Sequence, residues 1–189
     1  MKRIRRFAIM LLTVCLFMTY AAAAPAEGAS ASPVGEWVFT DIPDRTLMIL
    51  NEDGTAFYGG QALVWKDMGG SLFLTDEVGG SLQLPYCPSK TGMTVWLPCV
   101  YERISQIGGS GEIIGTWKAG GNSQSSFVFT EDGRFLEDGI FSGSYTVDAE
   151  RAAVILRYQG PFADTEIFYA FMDEALVIYY PWALSLKIS

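Results

Sequence analysis

The chain has 189 residues, half of them hydrophobic and 14% aromatic, enough for a packed core and too apolar for wholesale disorder. Thirteen Lys and Arg stand against 21 Asp and Glu, and there is no histidine. The missing imidazole excludes Ser-His-Asp and Cys-His nucleophiles, the ordinary proton shuttle and His-based zinc sites.

Residues 1–26 read as a secretory signal peptide: a basic start (Met1 to Arg6), an apolar run from Phe7 to Met18, and small residues from Ala21 to Ala26. The rival reading is an uncleaved anchor, since the apolar stretch through Ala24 is about long enough to span a bilayer. Lipidation needs a small residue before a Cys at the end of the run, whereas Cys15 follows Val14 in its middle. The mature chain is therefore expected to start between Ala24 and Ala29 and to lie outside the cell or in its envelope, off the membrane once cleaved. Lys2, Arg3, Arg5 and Arg6 leave with the leader, so 9 basic residues then face 21 acidic ones, a net charge of −12. Such a surface repels phosphate backbones, which argues against nucleic acid as a partner.

After a short linker over 27–33, the chain reads as two copies of one unit, 34–104 and 114–189. Val34-Gly-Glu-Trp37 returns as Ile114-Gly-Thr-Trp117, and Met48 to Gly54 returns as Phe127 to Gly133. Leu63-Val-Trp65 pairs with Tyr145-Thr-Val147 at a shift of 82, Leu72-Phe-Leu74 with Val154-Ile-Leu156, and Leu84-Pro-Tyr86 with Ile167-Phe-Tyr169. Arg103-Ile104 and Lys187-Ile188 close the copies, and Ser105 to Gly111 opens a Gly/Ser linker over 105–113. Apolar residues at every second position, continuous from Leu176 to Ile188, predict strands with one face in and one out. Turn signals such as Glu52-Asp53-Gly54 and Glu131-Asp132-Gly133 recur every 8 to 12 residues or so, which indicates an antiparallel meander, sandwich or barrel. The acidic pair in each turn supplies far fewer oxygens than calcium requires, so no metal is expected.

An opening Gly-x-Trp, a strand ending in Glu-Asp-Gly, and Gly143-Ser-Tyr145-Thr-Val-Asp148 together resemble the lipocalin-like repeat domains of secreted bacterial proteins. The resemblance spans 34–188 in two copies, with Ala62-Leu-Val-Trp65 replacing the Gly-x-Tyr element in the first. It implies an all-β fold of antiparallel meander sheets, two tandem lipocalin-like units forming small barrels or sandwiches, and export. It implies no reaction.

The residues thus point to a secreted, non-enzymatic binding module without cofactor, for a small apolar or glycan ligand or an extracellular protein. The alternative is a protein-directed module such as an inhibitor, engaging its partner along a strand edge. A carboxylate-dependent glycoside hydrolase is the distant third, because it needs only two suitably spaced acids. Trp37 and Trp117 recur at matching positions and read as core, as does Trp182 on the apolar face of its strand. Trp96 is out of phase with Val95 and Leu97 and is expected to be the most exposed tryptophan. Trp96, Tyr86, Tyr101 and Tyr58 are the candidate binding residues, with Tyr179 a further aromatic of the same kind. The stretch from Pro85 to Tyr101, with three prolines, breaks the alternation and reads as a sheet edge that places binding in the first copy. Cys87 and Cys99 sit outside the reducing cytosol, which favours a disulfide, while face parity turns them apart. Pro85, Pro88 and Pro98 can supply a bend, so the sequence leaves that bond open.

Overall fold

The computed structural model describes residues 32–89, 91–105, 112–121 and 123–187. The expected leader, residues 27–31 and residues 106–111 of the expected linkers lie outside these. The described residues form fourteen strands and no helix, seven strands from each sequence repeat. The first seven are β1 (Gly35–Phe39), β2 (Ile42–Leu50), β3 (Thr55–Tyr58), β4 (Gln61–Asp67), β5 (Ser71–Thr75), β6 (Ser81–Pro88) and β7 (Gly92–Ser105). The second seven are β8 (Gly115–Ala119), β9 (Ser126–Phe129), β10 (Arg134–Glu137), β11 (Phe141–Asp148), β12 (Ala153–Tyr158), β13 (Thr165–Met172) and β14 (Ala175–Leu186). Strands adjacent in sequence are adjacent in the sheet, and each has a paired neighbour on both sides. The registers are antiparallel, for example Leu72 opposite Leu84 and Val154 opposite Ile167.

Two compact units divide the chain, one running to Met93 together with the segment from Leu184 onward, the other Thr94–Ala183. The long seventh strand of each repeat is therefore shared out between units. In the first unit the sheet order is the end of β14, then β1 to β6, then the start of β7. Trp37 lies opposite Leu186 and Phe39 opposite Leu184, so the C-terminal segment completes this sheet. A Cβ placed on Gly92 would stand 2.2 Å from the Leu184 carbonyl oxygen, so β7 starts against the bare backbone of β14. The core here is Trp37, Met48, Leu50, Leu72, Leu74 and Leu84, each buried and each on an alternate position of its strand.

In the second unit the order runs from β7 through β14. Its interior is aromatic: Phe127 stacks on Phe129 at 5.4 Å, and Tyr145 meets Phe129 edge-on at 5.0 Å. Trp117, Leu156, Ile167, Leu176 and Ile178 close the packing around them.

The repeats agree in hydrogen bonds as well as in strands. Trp37 Nε1 donates to the Pro33 carbonyl and Trp117 Nε1 to the Ile113 carbonyl, both at 2.7 Å. Each Glu-Asp-Gly turn has its glycine at positive φ, 82° for Gly54 and 75° for Gly133, which Gly adopts without steric cost. The Trp65 amide donates to the Gly54 carbonyl and the Tyr145 amide to the Gly133 carbonyl, both at 2.8 Å. The side-chain tips match too: Trp65 Nε1 donates to the Asn51 carbonyl and the Tyr145 hydroxyl to the Thr130 carbonyl. Trp65 is thus the counterpart of Tyr145, a shift of 80 and not the 82 expected from the apolar pattern. A two-residue slip preserves alternation, so alternation could not detect it.

Two tryptophans depart from expectation. Trp182 is 45% exposed, because strand parity gives the side a residue faces and not how far the interior extends beneath it. The alternation of β14 also lapses where Val177 is buried beside Leu176 and Ile178, and Leu186 is 46% exposed. Trp96 is half-buried, resting on Phe168 at 5.4 Å with its Nε1 donating to the Glu166 carbonyl. The aromatic side of Phe168 covers what parity had marked as a solvent face.

The proline-rich stretch is no sheet edge. β6 lies between β5 and β7, and Pro85 is buried opposite Ser71. Cys87 and Cys99 are free thiols, Cys87 exposed and Cys99 half-buried. Burial raises the Cys99 thiol above its ordinary value. Iodoacetamide at neutral pH is therefore expected to alkylate Cys87 well before Cys99, read by peptide mass spectrometry. Equal rates at the two thiols would contradict this packing.

Candidate functional site

The sequence-predicted residues mostly serve their own unit's packing. In the first unit, Tyr86 is buried and its hydroxyl donates to Asp67 Oδ2 at 2.9 Å. Tyr58 is half-buried, and that burial raises its phenol above the ordinary value. In the second unit, Tyr101 is buried edge-on to Phe127, its hydroxyl 3.0 Å from Ser125 Oγ. Trp96 is engaged with Glu166 and Phe168 as described, and Tyr179 is half-buried. Three of the four principal candidates thus have their polar tips already bonded.

A different constellation stands at one end of the second unit's interior. Glu137 follows the buried Phe135 by two residues on β10, Tyr158 follows Leu156 on β12, and Tyr180 follows Ile178 on β14. Period two therefore aims all three to the inner side, past the last layer of the core. Phe141, opposite Glu137 across the β10–β11 turn, joins them. The loop from β12 to β13 adds Phe162. The Tyr158 hydroxyl donates to Glu137 Oε2 at 2.6 Å and lies 3.1 Å from the Tyr180 hydroxyl. Tyr158 has one proton and gives it to Glu137, so Tyr180 is the donor to Tyr158.

Burial pushes the Glu137 carboxyl above the ordinary range; the Tyr158 bond opposes that rise and the charge of Asp138 adds to it. The Tyr158 phenol is held strongly upward, first by burial and then by its bond to Glu137. It remains a hydrogen-bond donor throughout the working pH range and is no candidate base. Around this polar line the rings are open to solvent: Phe141 is 37% exposed and Phe162 52%. Phe141 stands 6.5 Å from Tyr158 and 5.5 Å from Phe162, and Tyr158 stands 6.0 Å from Phe162.

The internal repeat provides the comparison that sequence reading had missed. By strand register Glu137 corresponds to Tyr58, since they pair with Phe127 and Met48 respectively. Phe141 corresponds to Gln61, each being the partner across its turn. The first repeat forms the same strands with neither the carboxylate nor the phenylalanine, so the fold does not demand them. Set side by side, Tyr58-Gly-Gly-Gln61 and Glu137-Asp-Gly-Ile-Phe141 already carried this signal.

No family model, curated protein or solved structure matches the chain. Among the described residues no group of three or more His, Cys, Asp or Glu is placed to hold a metal ion.

Proposed function

We propose that the protein is an exported, non-enzymatic binding module of lipocalin-like build, taking its ligand at the rim formed by Glu137, Phe141, Tyr158, Phe162 and Tyr180. The observation that carries this reading is the exposed Phe141 set against the hydrogen-bonded carboxylate of Glu137, at positions where the first copy has Gln61 and Tyr58, with the exposed Phe162 beside them. Solvent-exposed phenylalanines cost solubility and contribute little to the core, and residues that break the local pattern without a structural return mark function. The ends of closed sheets are common ligand sites, and the filled aromatic interior beneath makes this one shallow. Within this cluster Glu137 is the one carboxylate, whereas glycoside hydrolysis uses a facing pair. Protein capture along a free strand edge is disfavoured where every strand already has two neighbours.

The test is native mass spectrometry of the protein purified from an exporting host. Wild type is expected to carry a small-molecule adduct that the double variant Phe141→Gln, Phe162→Ala loses while melting at the wild-type temperature. An adduct retained by that variant, or no adduct on wild type, counts against the rim.

A further inference from the structure

We propose that the ligand of this rim is a small organic cation, an alkylammonium head group held in an aromatic corner and neutralised by Glu137. The inference rests on the binding reading above and adds the chemical class.

The ring geometry comes first. Phe141 is inclined at 86° to Tyr158 and at 86° to Phe162, and Tyr158 at 63° to Phe162. Three planes each steep to the other two make a corner. A sugar ring or a flat aromatic ligand needs one broad open face and would meet only one wall. A compact, rounded group meets all three. The faces of aromatic rings are electronegative, and a cation within about 6 Å of a ring centroid is attracted to it. Ring separations of 5.5 to 6.5 Å bring all three centroids within that reach of one point.

The charge points the same way. Half-buried carboxylates are normally paired with a cation. The ion pairs among the described residues join Arg134 to Asp132, Arg151 to Glu166, Arg157 to Asp164 and Lys187 to Glu36. Glu137 is in none of them, and its sequence neighbour Asp138 adds a second negative charge. Tyr158 orients one carboxylate oxygen, which leaves the other for a ligand. A cationic ligand supplies the absent counter-charge, whereas a fatty acid or phosphate would be repelled. The net charge of −8 on the whole chain draws cations toward the site from a distance.

The experiment is a titration of the ¹⁵N-labelled protein, following the amides of Gly139, Phe141, Gly160 and Phe162. The probes are choline, its neutral isostere 3,3-dimethylbutan-1-ol, and cellohexaose. Choline should shift these amides and saturate, and the isostere should bind at least about tenfold more weakly. Glu137→Gln should bring choline down to the level of the isostere and leave the isostere unchanged. That variant is expected to melt no lower than wild type, because it removes a charge that burial disfavours. Should it fail to fold, Phe162→Ala, in the loop, replaces it and should weaken choline by a larger factor than the isostere, which loses apolar contact but no cation–π attraction. Equal binding of choline and isostere, or a Glu137→Gln variant that binds choline as wild type does, overturns the cation. So does binding of cellohexaose in place of choline, and in all these cases the rim survives as a binding site. If none of the three probes moves the rim amides, the cation and the rim fall together.

Discussion

Trp117→Ala is expected to cost about 3 to 5 kcal/mol, the range for truncating a large aromatic side chain in a packed core. Trp117 is fully buried and makes three separate kinds of contact. Its Nε1 donates to the Ile113 carbonyl at 2.7 Å, the Arg103 guanidinium lies 4.5 Å over its ring, and Phe171 packs at 6.1 Å. Alanine leaves a cavity, an unbonded carbonyl and a cation without its ring. Trp37→Ala should fall in the same range, since its indole repeats the bond, to Pro33, and is 4% exposed. Urea unfolding of the two variants would measure both. A Trp117→Ala protein melting within a degree or two of wild type would mean that this ring is not a core element.

Much of this fold could be read from the sequence because its repeats rest on local chemistry. Gly-x-Trp and Glu-Asp-Gly each fix a backbone feature that side-chain type announces: an indole bonded four residues back, and a glycine at positive φ closing a hairpin. What alternation could not convey was depth and length. It assigned Trp182 to the core, yet that residue is 45% exposed and lies where the second unit's share of β14 ends. It marked Trp96 as outward, and Phe168 occupies that outward side. It also had no means of showing that the seventh strand of each repeat is divided between two compact units, because a pairing such as Trp37 with Leu186, at opposite ends of the described chain, leaves no local trace.

The candidate site was harder to see for a different reason. Its five residues come from three strands, one strand end and a loop, and each is ordinary in its own window. Glu137 looks like a turn residue, Phe141 like a strand start, and Phe162 like a stray surface apolar. Only the hydrogen bond from Tyr158 to Glu137 and the ring contacts make them one object. The broken alternation from Pro85 to Tyr101 points to the first copy, whereas the candidate rim lies in the second unit. Regular strands and a functional rim are compatible, because the rim uses the inward phase of those same strands beyond the point where the core is full.

Gly143→Ala is expected to be the most damaging small substitution outside the tryptophans, and it links the fold to the rim. A Cβ on Gly143 would lie 2.0 Å from the Arg157 carbonyl oxygen and 2.8 Å from both the Arg157 carbonyl carbon and Phe135 Cε1. The obstacle is backbone on a paired strand, which cannot turn aside as a side chain can. β12 must therefore move off β11, for a cost of about 2 to 4 kcal/mol, at the upper end of overpacking effects. This explains the glycine of the Gly-x-Tyr element in physical terms: it lets β12 approach closely enough for its carbonyl to sit over a bare Cα. Gly143 also pairs directly with Tyr158, so the displaced strand carries the residue that orients Glu137. Gly120→Ala is the control, because nothing lies within 4 Å of a Cβ there, and it should change stability by less than about 0.5 kcal/mol. Urea midpoints of the two variants decide the matter. A Gly143→Ala protein as stable as Gly120→Ala, with the amide of Tyr158 unshifted, would show slack between β11 and β12 that this close approach does not allow.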